Sequence, residues 1–203
     1  MANILINPVT QNMYDAQELS VFLETRGFTQ VFCENDWITV VKKAYEKILN
    51  ENSKSTLLDM RCPKAVSLVK KVCSDSSVVY PEIEPILIHC AKEISEKYGG
   101  SGDVVVATPC KSLAEYGNSL ELRNTRFVSW NEFAESQNCT LGKKHLAESP
   151  IPPGFFSDIE KNAVSVTGKS GIEKLFSSKM HESFNLVEML FCKDGCNNGD
   201  GVL

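Results

Sequence analysis

The sequence predicts an α/β fold of parallel sheets flanked by helices in two lobes, and three observations point to it. Short apolar runs alternate with stretches whose apolar residues recur at helical spacing, the pattern of a parallel sheet. One run, Asp103 to Thr108 (DVVVAT), is almost continuously apolar, as a strand buried on both faces must be. The 203 residues carry 42% hydrophobic and 23% charged side chains with a mean hydropathy of -0.15, the composition of an ordinary folded domain. That length suits one domain spanning residues 1–203, with polar, turn-rich residues 138–154 as the expected boundary between lobes.

The elements follow in order. Ile4 to Ile6 is a short apolar strand, and Asp15 to Arg26 carries an apolar helical stripe that stops at Gly27, a natural residue just past a helix end. Thr29 to Cys33 alternates like a strand. Asp36 is placed to cap a helix with Trp37, Val40, Val41, Ala44 and Ile48 on one face. Thr56 to Met60 (TLLDM) reads as a strand, and Pro63 opens a helix with Ala65, Val69 and Val72 on one face. Ile86 to Tyr98 is a further helix, closed by the glycines at 99, 100 and 102.

After DVVVAT, Phe127 to Ser129 is a shorter strand, and Ser129 with Glu132 forms a capping box for a helix reaching Ser136. Pro150, Pro152, Pro153 and Gly154 mark the loop. Ala163 to Val166 reads as a strand, Thr167 to Gly171 as a glycine-bearing turn and Ile172 to Ser177 as a short helix. Phe184 to Phe191 (FNLVEMLF) fits strand and helix periods alike.

Charge and composition exclude several function classes. The net charge is -5, and the 21 basic residues are scattered instead of striped, so a nucleic-acid partner is not expected. No apolar run approaches the roughly 18 residues of a membrane span, so no membrane association is expected either. Met1 to Asn7 has neither a basic leader nor a full apolar core, which makes the cytoplasm the expected location. In that compartment the eight cysteines read as thiols, metal ligands or packing groups, not as a disulfide framework. The sequon Asn138-Cys139-Thr140 is then accidental.

Three apolar runs end in cysteine. TLLDM leads into Arg61-Cys62-Pro63, DVVVAT into Pro109-Cys110, and FNLVEMLF into Cys192-Lys193-Asp194-Gly195-Cys196. In open α/β sheets ligands gather at the carboxyl ends of strands, so these cysteines can converge although distant in sequence. Four thiolates are the ligand set of a cubane iron–sulfur cluster, and Gly195, Gly199 and Gly201 permit close backbone approach to one. Two other readings stay open: buried structural cysteines, and a zinc site, although the two close pairs usual for structural zinc are reduced here to one. Cys33, Cys73, Cys90 and Cys139 receive no ligand role. Thr167-Gly168-Lys169-Ser170 ends like a phosphate-binding loop but has Ala163 where that motif requires glycine. His89, His145 and His181 are isolated and read as surface or capped histidines.

The order RCP, ATPCKSLAE, VTGKSGIEKLF and FNLVEMLFCKDGCNNGDG resembles the catalytic domain of iron-only, or [FeFe], hydrogenases, whose signatures are TSCCP, MPCxxKxxE, a TGG-containing turn and ExMACxxGCxxGGG. Softer similarity lies in the NPV at Asn7 to Val9, in LETRGFTQVF and in YPEIEP at Tyr80 to Pro85, so the resemblance covers most of the chain. It implies two lobes with a cysteine-lined cluster site between them. It also implies a [4Fe-4S] cluster on Cys62, Cys110, Cys192 and Cys196, the four that the strand ends select.

The same resemblance implies a diiron subsite bridged by the last cysteine, and the departures from the motifs fall there. The proton-relaying first cysteine of TSCCP is Arg61, and the lysine that contacts the diiron cyanide is Leu113. Arginine stays charged at neutral pH and leucine donates no hydrogen bond. The motif glutamate falls on Tyr116, with Glu115 one position early, and Asp200 interrupts the glycine run. The expectation is a hydrogenase-like protein with one [4Fe-4S] cluster serving electron transfer or redox sensing, without normal hydrogenase activity and with a diiron subsite disfavoured. Closely spaced ferredoxin-type cysteines do not occur, so a redox protein partner is expected; the sequence selects no oligomeric state. Two alternatives stand beside it: a hydrogen-active oxidoreductase with an altered proton path, and a metal-free scaffold subunit.

Overall fold

A computed structural model describes residues 1–51 and 55–203. In chain order the first half holds β1 (Ala2–Ile6), α1 (Pro8–Met13), α2 (Ala16–Thr25), β2 (Phe28–Gln30), α3 (Trp37–Glu51), β3 (Thr56–Leu58), α4 (Pro63–Val72), β4 (Val78–Val79) and α5 (Ile86–Tyr98). The second half holds β5 (Val104–Thr108), α6 (Lys111–Asn118), β6 (Thr125–Ser129), α7 (Trp130–Ser136), β7 (Ala163–Thr167), α8 (Lys169–Ser177) and β8 (Leu186–Leu190). Single 3-10 turns at Met180–Ser183 and Cys196–Asn198 complete it. The fold is α/β, with two four-stranded parallel sheets flanked by helices.

The chain divides into two units. One comprises Met1–Asn35, Leu87–Ile151 and Cys196–Leu203; the other comprises Asp36–Ile86 and Pro152–Gly195. The sheet of the first has the strand order β2-β1-β5-β6. All five residues of β5 are buried, because strands on both sides and helices on both faces close over it. The register sets Ile6 opposite Ala107 and Thr108 opposite Ser129, which aligns the carboxyl ends of β1, β5 and β6. Helix α7 inserts Trp130 and Phe133 into this core, and the indole Nε1 donates to the Tyr14 hydroxyl at 3.0 Å, so its buried N–H is paired.

The sheet of the second unit has the order β4-β3-β8-β7. The segment FNLVEMLF resolves to the strand β8, buried over its whole length between β3 and β7. A residue pattern that fits two periods is decided here by neighbours on both edges.

Several sequence expectations need correction. The expected helix over Asp15 to Arg26 is α2, with Asp15 as its cap accepting from the amides of Gln17 and Glu18, but a separate helix α1 precedes it. Asn7 caps that helix, accepting from the Thr10 amide at 3.0 Å, with Pro8 in its first turn. Helix α6 likewise lies outside the sequence expectation. On α3 the buried positions are Val41 and Tyr45, and Val40 is exposed; on α4 they are Ala65, Val66 and Val69, and Val72 is exposed. In both, the apolar stripe is rotated by about one residue relative to the pattern. The expected turn at Thr167 to Gly171 is shorter: Gly168 (φ 82°) ends it, and α8 starts at Lys169.

Candidate functional site

In each sheet the chain order reverses between two neighbouring strands, β1 and β5 in the first unit and β3 and β8 in the second. Such switch points open a crevice at the carboxyl ends, the usual place for a ligand in α/β sheets. Cys110 follows β5, Cys62 follows β3, and Cys192 follows β8. Cys62 and Cys110 occupy the residue just before the first turn of α4 and α6, where unpaired helix amides favour negative charge.

In the first unit, the chain from Cys196 to Gly201 lies directly on the Pro109–Cys110 backbone. The Gly201 amide donates to the Pro109 carbonyl at 3.1 Å, and the Gly201 carbonyl accepts from the Asn131 amide at 2.8 Å. A side chain at Gly201 would put its Cβ 2.9 Å from the Cys110 Cα; at Gly199 the Cβ would stand 2.4 Å from the Pro109 oxygen. Glycine is therefore required at both positions by close approach. Asp200, which interrupts the glycine run, accepts from the Lys111 amide at 3.1 Å and so caps α6. Asn197 donates to the Leu146 carbonyl at 3.1 Å and ties the loop carrying Cys196 to the polar segment.

In the second unit, Cys62 is set among amides. Burial pushes its thiol pKa up, opposed by N–H donation to the sulfur from Phe191, Ala65 and Lys64. The Phe191 contact carries Cys62 to the residue adjoining Cys192. A Cβ added at Gly168 would stand 3.6 Å from the Lys193 side chain, and the Asp194 amide donates to the Thr167 hydroxyl at 3.2 Å. The glycine-bearing turn after β7 thus supports the loop that follows β8, with Asp194 itself in left-handed conformation (φ 62°).

Beside Cys62 stands a buried ionic group that the sequence reading did not assemble. Arg61 donates from Nε and Nη2 to Asp59 at 2.8–3.1 Å, and from Nη2 to Glu188 Oε1 at 2.7 Å. The three side chains are 6%, 0% and 2% exposed. Glu188 also accepts from the amides of Gly154 and Phe155 and from the Ser165 hydroxyl. The guanidinium carbon sits 3.9 Å from the Phe155 ring centre and 4.8 Å from that of Phe156. Burial disfavours the charged guanidinium, but Asp59 and then Glu188 outweigh it and raise its pKa above the usual arginine value. The one signal in the sequence is a lone carboxylate inside each of two apolar runs, TLLDM and LVEML.

The remaining cysteines separate from this arrangement. Cys73 packs on the core under α4 and α8, and Cys139 on the core of the first unit. Cys33 and Cys90 meet each other, their sulfurs 2.7 Å apart. His145 is exposed, as expected, but His181 is almost wholly buried with neither ring nitrogen hydrogen-bonded, which corrects its reading as a surface or capped histidine. Leu113 is buried on α6 and Glu115 is exposed, so neither presents a polar group to the Cys110 backbone. Among the described residues, no helix is long and apolar enough to cross a membrane.

No family model and no curated protein matches the chain. Solved structures do. A variant of the [FeFe]-hydrogenase HydA1 from Chlamydomonas reinhardtii superposes with a TM-score of 0.61 at 11% identity, over 98% of this chain and 79% of that one. A second [FeFe]-hydrogenase structure, concerned with oxygen inactivation through modification and degradation of the H cluster 2Fe subcluster, gives a TM-score of 0.61 at 12% identity with the same coverages. The chain has the [FeFe]-hydrogenase fold.

Proposed function

We propose that this protein is a hydrogenase-like iron–sulfur protein that binds one [4Fe-4S] cluster through Cys62, Cys110, Cys192 and Cys196 and uses it for electron transfer or redox sensing, without hydrogen turnover. The observation that carries the reading is the placing of these cysteines. Three follow strands that flank the switch points of two parallel sheets, and the fourth lies in a glycine loop against the backbone of one of them.

The residues suit the group. Thiolate is the ligand type of a cubane, and backbone N–H groups directed at cysteine sulfur tune such clusters. When bound, the cluster supplies one-electron transfer. Amides of Phe191, Ala65 and Lys64 point at the Cys62 sulfur and offset part of the burial that raises its thiol pKa. Gly199 and Gly201 hold the Cys196 loop at a distance from Cys110 that no side chain would allow.

Hydrogen turnover needs a group that gives and takes a proton, and the residue before Cys62 is not one. Arg61 is fixed by two carboxylates and two aromatic rings and keeps its charge. Leu113 offers no donor. These two side chains support a role limited to electrons, which a separate redox protein would deliver or receive.

The test is a pair of variants purified without oxygen. Cys110→Ala is expected to abolish the electron paramagnetic signal of a reduced cubane, and Cys139→Ala to leave it intact. A cubane signal that survives the first change contradicts the ligand assignment.

A further inference from the structure

We infer that Asp75, His181 and Glu182 form a divalent metal site in the second unit, one that uses none of the eight cysteines. Their ligand atoms all lie within 4.8 Å of one another. One imidazole nitrogen with two carboxylates is a donor set for borderline to hard divalent cations such as Zn2+ and Mn2+.

The observation that separates this group from an ordinary acidic surface is His181. It is 1% exposed, and neither of its ring nitrogens has a hydrogen-bond partner. A neutral imidazole has one donor and one acceptor nitrogen, and leaving both buried and unpaired is costly. Its Nε2 faces the Asp75 carboxylate at 3.7 Å, and the ring stacks on Phe176 with centres 4.7 Å apart, which fixes its plane. The two carboxylates are moreover in side-chain contact with each other. Two acidic groups in contact beside an imidazole that lacks a partner leave a place for a cation.

Both segments are held by one residue at the start of β3. The Thr56 amide donates to the Ser77 carbonyl at 3.0 Å, and its hydroxyl donates to the His181 carbonyl at 3.1 Å and to the Phe184 carbonyl at 3.0 Å. Asp75 is oriented by the Ser77 amide at 2.8 Å. A cavity of about 500 Å³ opens beside Asp75 and Glu182, with room for water ligands. Bonds of about 2.0–2.2 Å place ligand atoms roughly 3.0–3.5 Å apart, so the His181–Asp75 pair is nearly in position and Glu182 must close in. Glu182 is free to do so: it is half-exposed, and the cation it has now is the exposed Lys179 at 3.7 Å, a weak surface pair that a divalent ion would outcompete.

Mn2+ alone is the probe, because carboxylate and water suit it and thiolate does not. Titrated into the whole chain and followed by loss of the free-ion electron paramagnetic signal, it is expected to bind once per chain. It should selectively broaden the His181 imidazole resonances, leaving His89 and His145 sharp, and Zn2+ should displace it. Asp75→Asn and Glu182→Gln, isosteric changes at partly exposed residues, should each weaken binding about tenfold or more without altering thermal unfolding of the metal-free protein. Absence of Mn2+ binding at millimolar concentration overturns the site, as does binding unchanged in both variants or without effect on His181.

Discussion

Arg61 Nη2 donates to Glu188 Oε1 at 2.7 Å, joining the end of β3 to the middle of β8 through a guanidinium that also holds Asp59. Two buried carboxylates without that cation would stand uncompensated in a low-dielectric interior. Arg61→Ala is therefore expected to cost about 3–5 kcal/mol of stability. Urea unfolding of the wild type and variant measures it; a loss below about 1 kcal/mol would mean that the amides and the Ser165 hydroxyl suffice for Glu188.

The glycine loop on Cys110 gives a second expectation. Gly201→Ala places a methyl 2.9 Å from backbone atoms that cannot turn aside. Overpacking of this kind costs about 1–3 kcal/mol, and displacement of the loop should lower iron content as well. Gly142→Ala is the control, since nothing lies within 4 Å of the added carbon. Equal behaviour of the two variants would show that the Cys196 loop is not held by close approach.

Much of this was legible in the sequence, and the exceptions have physical causes. The strand β5 declared itself because burial on both faces demands five apolar or small residues in a row. The Ser129–Glu132 capping box was likewise readable, because both partners lie three residues apart and the box forms locally. Helix α1 has a start signal in Asn7-Pro8, but its six residues make too short an apolar stripe to show a helical period. The burial of His181 has no local signal at all: it follows from a left-handed turn at Lys179 and from Thr56, 125 residues away, holding its carbonyl. Strand-end cysteines could be read one by one, whereas the Arg61 group is assembled from β3, β7, β8 and the residues around Phe155.

The capping box also makes a statement about pH. The Ser129 hydroxyl, then its amide, holds the Glu132 carboxyl below the ordinary glutamate range. A group whose pKa is lower when folded adds stability above its unfolded pKa, and that stability is lost as pH falls through the folded value. Glu132→Gln should accordingly destabilise the protein at neutral pH and flatten the acid limb of its stability profile. Unfolding midpoints measured between neutral and acid pH test this; parallel profiles for both proteins would contradict it.

Cys33 and Cys90 bring their sulfurs to 2.7 Å of each other. Burial, then the hydrogen bond with Cys33, pushes the Cys90 thiol well above the ordinary range, so it should alkylate slowly at neutral pH. An azo oxidant such as diamide takes two electrons and two protons from such a pair, leaving a disulfide and the reduced hydrazine. Peptide mapping should then recover a Cys33–Cys90 crosslink, absent in Cys33→Ser. Persistence of both thiols under oxidant would show that the sulfurs do not meet in solution.

The most direct measurement of the central claim is iron, acid-labile sulfide and zinc per chain on protein purified without oxygen. The account predicts about four iron and four sulfide, lost together in Cys110→Ala. Zinc in place of iron, or a well-folded protein holding neither iron nor sulfide, would contradict it.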